Sequence, residues 1–200
     1  MLRAQLVPAV LLTVLASLVL GVAYPLATCG IGQLAFRHQA DGSLISRDNQ
    51  VVGSSLLGQS FTDATGNPLP QYFQPRPSAA GSGYDGTASG ASNLGPSDPR
   101  LLAAISERAA AYRAFNQLPG DAAVPVDAVT GSGSGLDPDI SVANAGLQSP
   151  RVAAARHLPP ETVAALVRDH TTGRALGFLG ETVVNVVELN LALDSQPRPH

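Results

Sequence analysis

From Ala4 to Phe36 the only ionisable side chains are Tyr24 and Cys29, and Leu6 to Ala23 is almost wholly Leu, Val and Ala. A helix rises about 1.5 Å per residue, so roughly 20 apolar residues cross a hydrocarbon core of about 30 Å. Leu6–Ala23, extended by Tyr24-Pro25-Leu26-Ala27-Thr28, meets that length. The chain therefore works at a membrane or is exported across one.

The ends of the block separate these two outcomes. A cleavable signal has an apolar core of about 7–15 residues and an Ala-x-Ala-like exit. Here the core is longer and the exit reads Ala23-Tyr24-Pro25-Leu26. Leu26-Ala27-Thr28-Cys29 approaches the box that precedes a lipid-modified cysteine, but Thr28 stands where that box takes Gly, Ala or Ser. A retained anchor over residues 1–28 is the expectation. Tyr24 suits the interfacial belt, and Pro8 falls in the first turn, where its missing N–H costs little. Arg3 and the amino terminus flank the helix closely, whereas Arg37 and Arg47 lie further off among Asp41 and Asp48. Basic residues close to a span set its direction, which places the N-terminus inside and the rest of the chain outside the cytoplasm.

The remainder has room for one domain of ordinary size, expected over residues 29–194 with a loose tail at 195–200. A net charge of −3, no basic run and no lysine argue against nucleic acid as a partner. One cysteine rules out an internal disulfide and a cysteine-rich metal site. His38, His157, His170 and His200 show no ligand spacing.

Along the domain, Asp41-Gly42 reads as a tight turn, with Ser43-Leu44-Ile45 and Val51-Val52 as short strands. Gly66 to Pro99 is rich in Gly, Pro, Ser and Asn and has no period, so it is expected to be irregular. Asp98-Pro99 opens a helix that buries Leu101, Leu102, Ile105, Ala109, Tyr112 and Phe115 and stops at Pro119-Gly120. Val124–Val129 alternates like a strand. Asp137-Pro138 repeats the cap-and-proline start, predicting a helix over Ile140–Gln148 and another from Ser149-Pro150 to Arg156. Pro160-Glu161 opens a further helix with Val163, Leu166 and Val167 inward and Gly173 as its stop. Val183–Leu193 fits strand or helix. The expected fold class is an α/β domain, a mixed sheet with several short helices, on a single N-terminal transmembrane helix.

Three places invite chemistry. Gly81-Ser82-Gly83-Tyr84-Asp85-Gly86 has the bare pattern of a dinucleotide loop but lacks the strand before it, so a plain loop is the expectation. Thr130, Gly131, Ser132, Gly133, Ser134, Gly135 and Asp137 are placed to join a strand to a capped helix. Backbone N–H groups there would suit an anion or a nucleotide phosphate. No lysine follows, which excludes a Walker loop. A serine hydrolase would recruit Ser132 or Ser134, His157 or His170, and Asp137 or Asp169, but no Gly-x-Ser-x-Gly elbow stands in frame. His170 near a helix end is a favourable cation there. A membrane-anchored extracytoplasmic hydrolase or binding module is the alternative function.

The motifs carry a resemblance when taken together. The span ending Tyr24-Pro25-Leu26 is followed by Asp41-Gly42-Ser43-Leu44-Ile45, Gly53-Ser54-x-Leu56-Leu57-Gly58-Gln59, and Tyr72-Phe73-x-x-Arg76-Pro77-Ser78-Ala79. Ser89–Leu94, Val129–Asp137, Gln148-x-Pro150-Arg151-Val152-Ala153-x-Ala155-Arg156 and Val184–Asp194 complete the order. Over nearly its whole length the chain resembles the KdpC family, the C subunits of Kdp potassium-transporting ATPases. The resemblance implies a bacterial inner-membrane complex in which a channel-like subunit selects potassium, the transported ion, and a P-type subunit hydrolyses ATP. This chain lacks the Asp-Lys-Thr-Gly phosphorylation sequence of such pumps and the filter loops of a potassium pathway. The resemblance therefore implies an accessory subunit that assembles the complex and raises the ATP affinity of the catalytic partner. Its small residues Ala9, Ala16, Ser17 and Gly21 then suit a helix packed at a subunit interface.

Overall fold

The computed structural model describes residues 2–197, and side chains from Ala4 onward. The expected tail beyond Pro197 lies outside the described residues, as does His200. Two compact units emerge, Met1–Val51 and Val52–His200.

In the first unit, α1 (Leu2–Leu18), a π-helical segment (Val19–Ala23) and α2 (Tyr24–Ala35) follow one another without a break. The helix continues well past the expected end of the anchor at Thr28. Its apolar stretch, Ala4–Ala35, spans 32 residues, about 48 Å at 1.5 Å per residue. That exceeds the bilayer core, so a spanning helix tilts or projects beyond the hydrocarbon. The π-turn has a local cause. Pro25 has no N–H to give to the Gly21 carbonyl four residues back, and its ring crowds that carbonyl. The Tyr24 N–H instead reaches Val19, five residues back, while the Thr28 hydroxyl donates to the Tyr24 carbonyl at 2.7 Å. A short helix, α3 (Arg37–Ala40), follows.

Next, β1 (Leu44–Arg47) and β2 (Gln50–Ser54) pair as a two-stranded sheet. Both expected strands are present, but Asp48 and Asn49 make the hairpin turn, with φ of 52° and 63°. Asp and Asn tolerate this left-handed geometry better than other side chains, which a two-residue hairpin demands. Asp41-Gly42 is a turn that precedes the hairpin.

The second unit combines helices with a small sheet, as expected. Residues 60–97 form no regular element, and α4 (Pro99–Phe115) begins where Asp98 accepts the Arg100 N–H at 2.9 Å. The helix ends at Phe115, ahead of the expected Pro119-Gly120, because Gln117 turns left-handed at φ 55°. Its expected buried face is only partly covered, and Leu102 is exposed. The expected strand at 124–129 is instead the single turn α5 (Val126–Val129), set up by Pro125. Apolar alternation over so few residues does not separate the two.

The two helices expected over 140–156 are one. Asp139–Ser141 is β3, and α6 runs from Val142 to Arg156 through Pro150. Ser141, rather than Asp137, caps it by accepting the Asn144 N–H at 3.1 Å. Pro150 and Gly146, whose carbonyl it leaves without a helical partner, are both exposed, so that carbonyl lies open to solvent and the lost bond costs little enough for the helix to continue. His157 closes it in the left-handed conformation. α7 (Pro160–Asp169) follows, with His170, ahead of the expected Gly173, as its C-cap. Then come β4 (Thr171–Thr172), β5 (Val183–Asn185) and α8 (Val186–Asp194), so the ambiguous block is strand first and helix second. Asn185 makes the switch by accepting the Glu188 N–H.

The three strands lie in the order β3-β5-β4, antiparallel throughout, with Ile140 opposite Val184 and Thr171 also opposite Val184. Around them Phe73, Ile140, Ala145, Val152, Val163, Val184, Val186, Leu189 and Leu193 are buried. Each large apolar side chain so removed from water contributes about 1.5–3 kcal/mol. The core thus rests on α6, α7, α8 and the sheet, with Phe73 from the irregular segment locked into it.

Candidate functional site

Thr130–Asp137 folds against the irregular segment 76–90. The Arg76 guanidinium donates to the Asp137 carboxylate at 2.9 Å and to the Thr130 and Gly131 carbonyls at 3.4 and 3.3 Å. Ser78 donates its hydroxyl to the Gly135 carbonyl at 2.6 Å and accepts the N–H groups of Ala80 and Tyr84. The Ser134 carbonyl accepts from the Gly90 N–H and the Ser89 hydroxyl, and the Gly58 N–H donates to the Leu136 carbonyl. The glycines are needed for contact. A Cβ on Gly135, where φ is +68°, would lie 2.6 Å from the Gly90 carbonyl oxygen, and one on Gly131 would lie 2.9 Å from that of Pro77. Backbone meets backbone here, leaving little room for a methyl group to be absorbed. Gly135→Ala is therefore expected to lower stability by about 2–4 kcal/mol, from overpacking and left-handed strain together. Thermal unfolding of the purified chain reads this directly.

The structure changes the setting assumed for an anion cradle. Neither flank is as expected: α5 precedes the segment and β3 follows it, so no helix N-terminus starts from the loop. Several of its N–H groups are engaged locally, Gly135 on the Ser132 hydroxyl, Leu136 on that of Ser134, and Asp139 on the Asp137 carboxylate. Thr130–Gly133 instead lines a cleft of about 290 Å³ with Ser92, Asn93 and Arg108. The Ser132 and Ser134 hydroxyls lie 3.4 Å apart, and neither is hydrogen-bonded to an imidazole among the described residues. His157 caps α6, while His170 Nδ1 sits 2.9 Å from the Leu166 carbonyl at the end of α7. The hydrolase candidates thus occupy separate structural positions. Gly81–Gly86 is a run of turns with neither a strand before it nor a helix after it.

Burial and neighbouring charge shape the titration here. Burial, reinforced by the Asp137 charge, raises the Tyr84 phenol, whose hydroxyl donates to the Arg76 carbonyl. Asp139 is also raised, first by burial and then by Asp137 and Glu188. A carboxyl raised on folding favours the folded state most when protonated, and this contribution is lost as pH rises through the folded value. Asp139→Asn is expected to raise the melting temperature at neutral pH. The gain should vanish below the ordinary aspartate value of 3.8, and melting curves across that range check the sign.

A second constellation escaped the sequence reading. Asn190 accepts the Phe73 N–H and donates to its carbonyl, both at 2.9 Å. Gln148 does the same for Gln74, at 2.7 and 3.0 Å. Two carboxamides thus hold consecutive residues as a neighbouring strand would. Buried Arg151 donates to Asn116, Gln148 and the carbonyls of Pro70 and Tyr72, with its guanidinium 4.3 Å from the Phe115 ring centre. Desolvation lowers its pKa to about 10. Asp127 in α5 accepts from the Ser141 N–H, the Ser141 hydroxyl and Asn144, fixing the start of α6. The available signal was the spacing of Asn144, Gln148 and Arg151, which puts polar groups on one face of a helix beside core positions.

In the first unit, Ala9, Ala16 and Ser17 lie in α1 and Gly21 in the π-turn. Among the described residues, no group of three or more His, Cys, Asp or Glu side chains is placed to hold a metal ion. Cys29 is exposed within α2.

Residues 6–195 match the family model described as KdpC: K+-transporting ATPase, c chain. A protein of Mycobacterium bovis BCG named potassium-transporting ATPase KdpC subunit is 57% identical over 192 residues, covering 96% of this chain and 98% of that relative. Proteins of the same name are 57% identical in Kineococcus radiotolerans, covering 92% and 90% of the two chains, and 51% in Beijerinckia indica, covering 94% and 92%. With the match running from the apolar helix through α8, the chain belongs to the KdpC family.

Proposed function

We propose that this chain is a noncatalytic accessory subunit of a high-affinity, ATP-driven potassium uptake complex in the bacterial inner membrane. The observation that carries the reading is the apolar helix Ala4–Ala35, whose most apolar window is 0% buried, in a chain whose relatives are named as potassium-transporting ATPase subunits. A helix apolar all round needs lipid or other helices to cover it. Its partners in this reading are a potassium-selective, channel-like subunit and a P-type subunit that binds and hydrolyses ATP. The complete absence of lysine supports a noncatalytic role, since the phosphorylation sequence of such pumps contains one.

The unit from Val52 onward lies outside the cytoplasm in this proposal. It assembles and steadies the complex, and promotes ATP binding by the catalytic subunit through that assembly. Direct nucleotide contact at Thr130–Gly133 would require the opposite orientation. Sidedness is read with single cysteines at Ser89 or Ser132 in a Cys29→Ser background. A membrane-impermeant reagent is expected to label both in intact cells. Labelling only after lysis would sink the outside placement and reopen nucleotide contact.

A further inference from the structure

The loop between β4 and β5 ends in an exposed apolar hairpin. Leu176, Phe178 and Leu179 are 83%, 68% and 50% exposed. Ala175 and Leu179 exchange backbone hydrogen bonds at 2.8 and 2.9 Å. Three residues, Leu176, Gly177 and Phe178, lie between this pair, and Leu176 and Gly177 at the tip take the left-handed region with φ of 54° and 82°. Below the tip, Arg174 and Glu181 approach to 3.6 Å across the two arms. Asn, Asp or Gly ordinarily fills the first tip position, and leucine there is strained. This sequence accepts that strain and points an apolar side chain outward.

We propose that Leu176 and Phe178 are a docking finger that enters an apolar pocket on a membrane-embedded partner subunit, a proposal that rests on the accessory-subunit reading above. The area selects this occupant. The three side chains expose on the order of 400 Å², about half of the 800 Å² per partner that a stable independent interface buries. The finger is therefore too small to hold a free protein or a second copy by itself. It suffices where the membrane helix already keeps both chains together and raises their effective concentration. Its conformation favours a protein pocket over lipid. A bilayer rewards apolar area in any arrangement, whereas a closed, strained hairpin with one charge of each sign at its base matches an apolar pocket with a polar rim.

The chain has no tryptophan, so Phe178→Trp supplies its only indole, excited at its red edge to avoid the four tyrosines, with emission of the wild-type chain in the same state subtracted as the blank. The full-length variant is reconstituted in nanodiscs containing brominated lipid, alone and co-assembled with its partner subunits. The expected result is water-like emission alone and blue-shifted, unquenched emission in the assembly. Blue-shifted emission quenched by brominated lipid would put the tip in the bilayer and overturn the proposal, as would water-like emission in the assembly. Leu176→Gly separates docking from folding. Glycine relieves the strained φ, so the free chain should melt no lower than wild type, while dissociation from the partners should accelerate about tenfold. Unchanged dissociation overturns the finger. If wild type itself retains no partner, the accessory-subunit reading falls first.

Discussion

Arg151→Met is expected to destabilise the Val52–His200 unit by about 3–5 kcal/mol, enough to remove a large part of its folding free energy. The methionine fills similar space but donates nothing. It leaves the Pro70 carbonyl and the Asn116 side-chain oxygen without the hydrogen bonds they now receive, while Gln148 keeps the Gln74 N–H and the Tyr72 carbonyl keeps only the longer bond from the Gln74 side chain. Each buried polar group so stranded costs about 1–3 kcal/mol. Arg151 is 7% exposed, so water reaches the gap poorly. Arg151→Lys should recover only part of the loss, because an ammonium cannot reproduce the planar fork that spans these acceptors. Chemical denaturation of the variants in one detergent measures both effects. A loss below about 1 kcal/mol would mean that the network is solvated or slack.

The second large effect concerns partners. Replacing Ala16 and Gly21 together by leucine should leave the chain in the membrane, since the span becomes more apolar. Retention of partner subunits in mild detergent should fall at least tenfold. Small side chains let two helices approach closely, and leucine pushes the backbones apart. Gly21 has a further part because it sits in the π-turn imposed by Pro25, with no side chain within 4 Å of the Cβ position. The Val19–Ala23 π-turn also shifts the helical faces on its two sides relative to each other. Pro25→Ala, which restores the missing N–H, is expected to weaken retention without emptying the membrane fraction.

Much of this architecture follows from short-range rules that a sequence displays. The membrane helix came from uninterrupted apolarity, α4 from Asp98-Pro99, and α7 from Pro160 and its inward valines. Two departures turn on tertiary context. Pro150 looked like a helix start, but it lies on an exposed face where the carbonyl it frees lies open to solvent. Val124–Val129 alternated like a strand, yet Pro125 and the bonds from Asp127 to α6 hold it as a turn of helix. The Gly-Ser segment was legible as special because of its glycines. What they serve, a close approach to Pro77, Ala80 and Gly90, depends on a loop some fifty residues earlier. The carboxamide clamps were the least visible, since Gln148 and Asn190 are ordinary helical polar residues until their partners at Phe73 and Gln74 are in place.

The proposed role depends above all on this chain being held in a potassium-transporting ATPase assembly through its N-terminal helix. Affinity purification of the tagged full chain from its native membrane in mild detergent, with every co-eluting subunit quantified, tests it most directly. Wild type is expected to carry the P-type and channel-like subunits through in stoichiometric amounts, and the Ala16→Leu, Gly21→Leu double variant to lose them. Wild type eluting alone, or undiminished partners in the double variant, would contradict it.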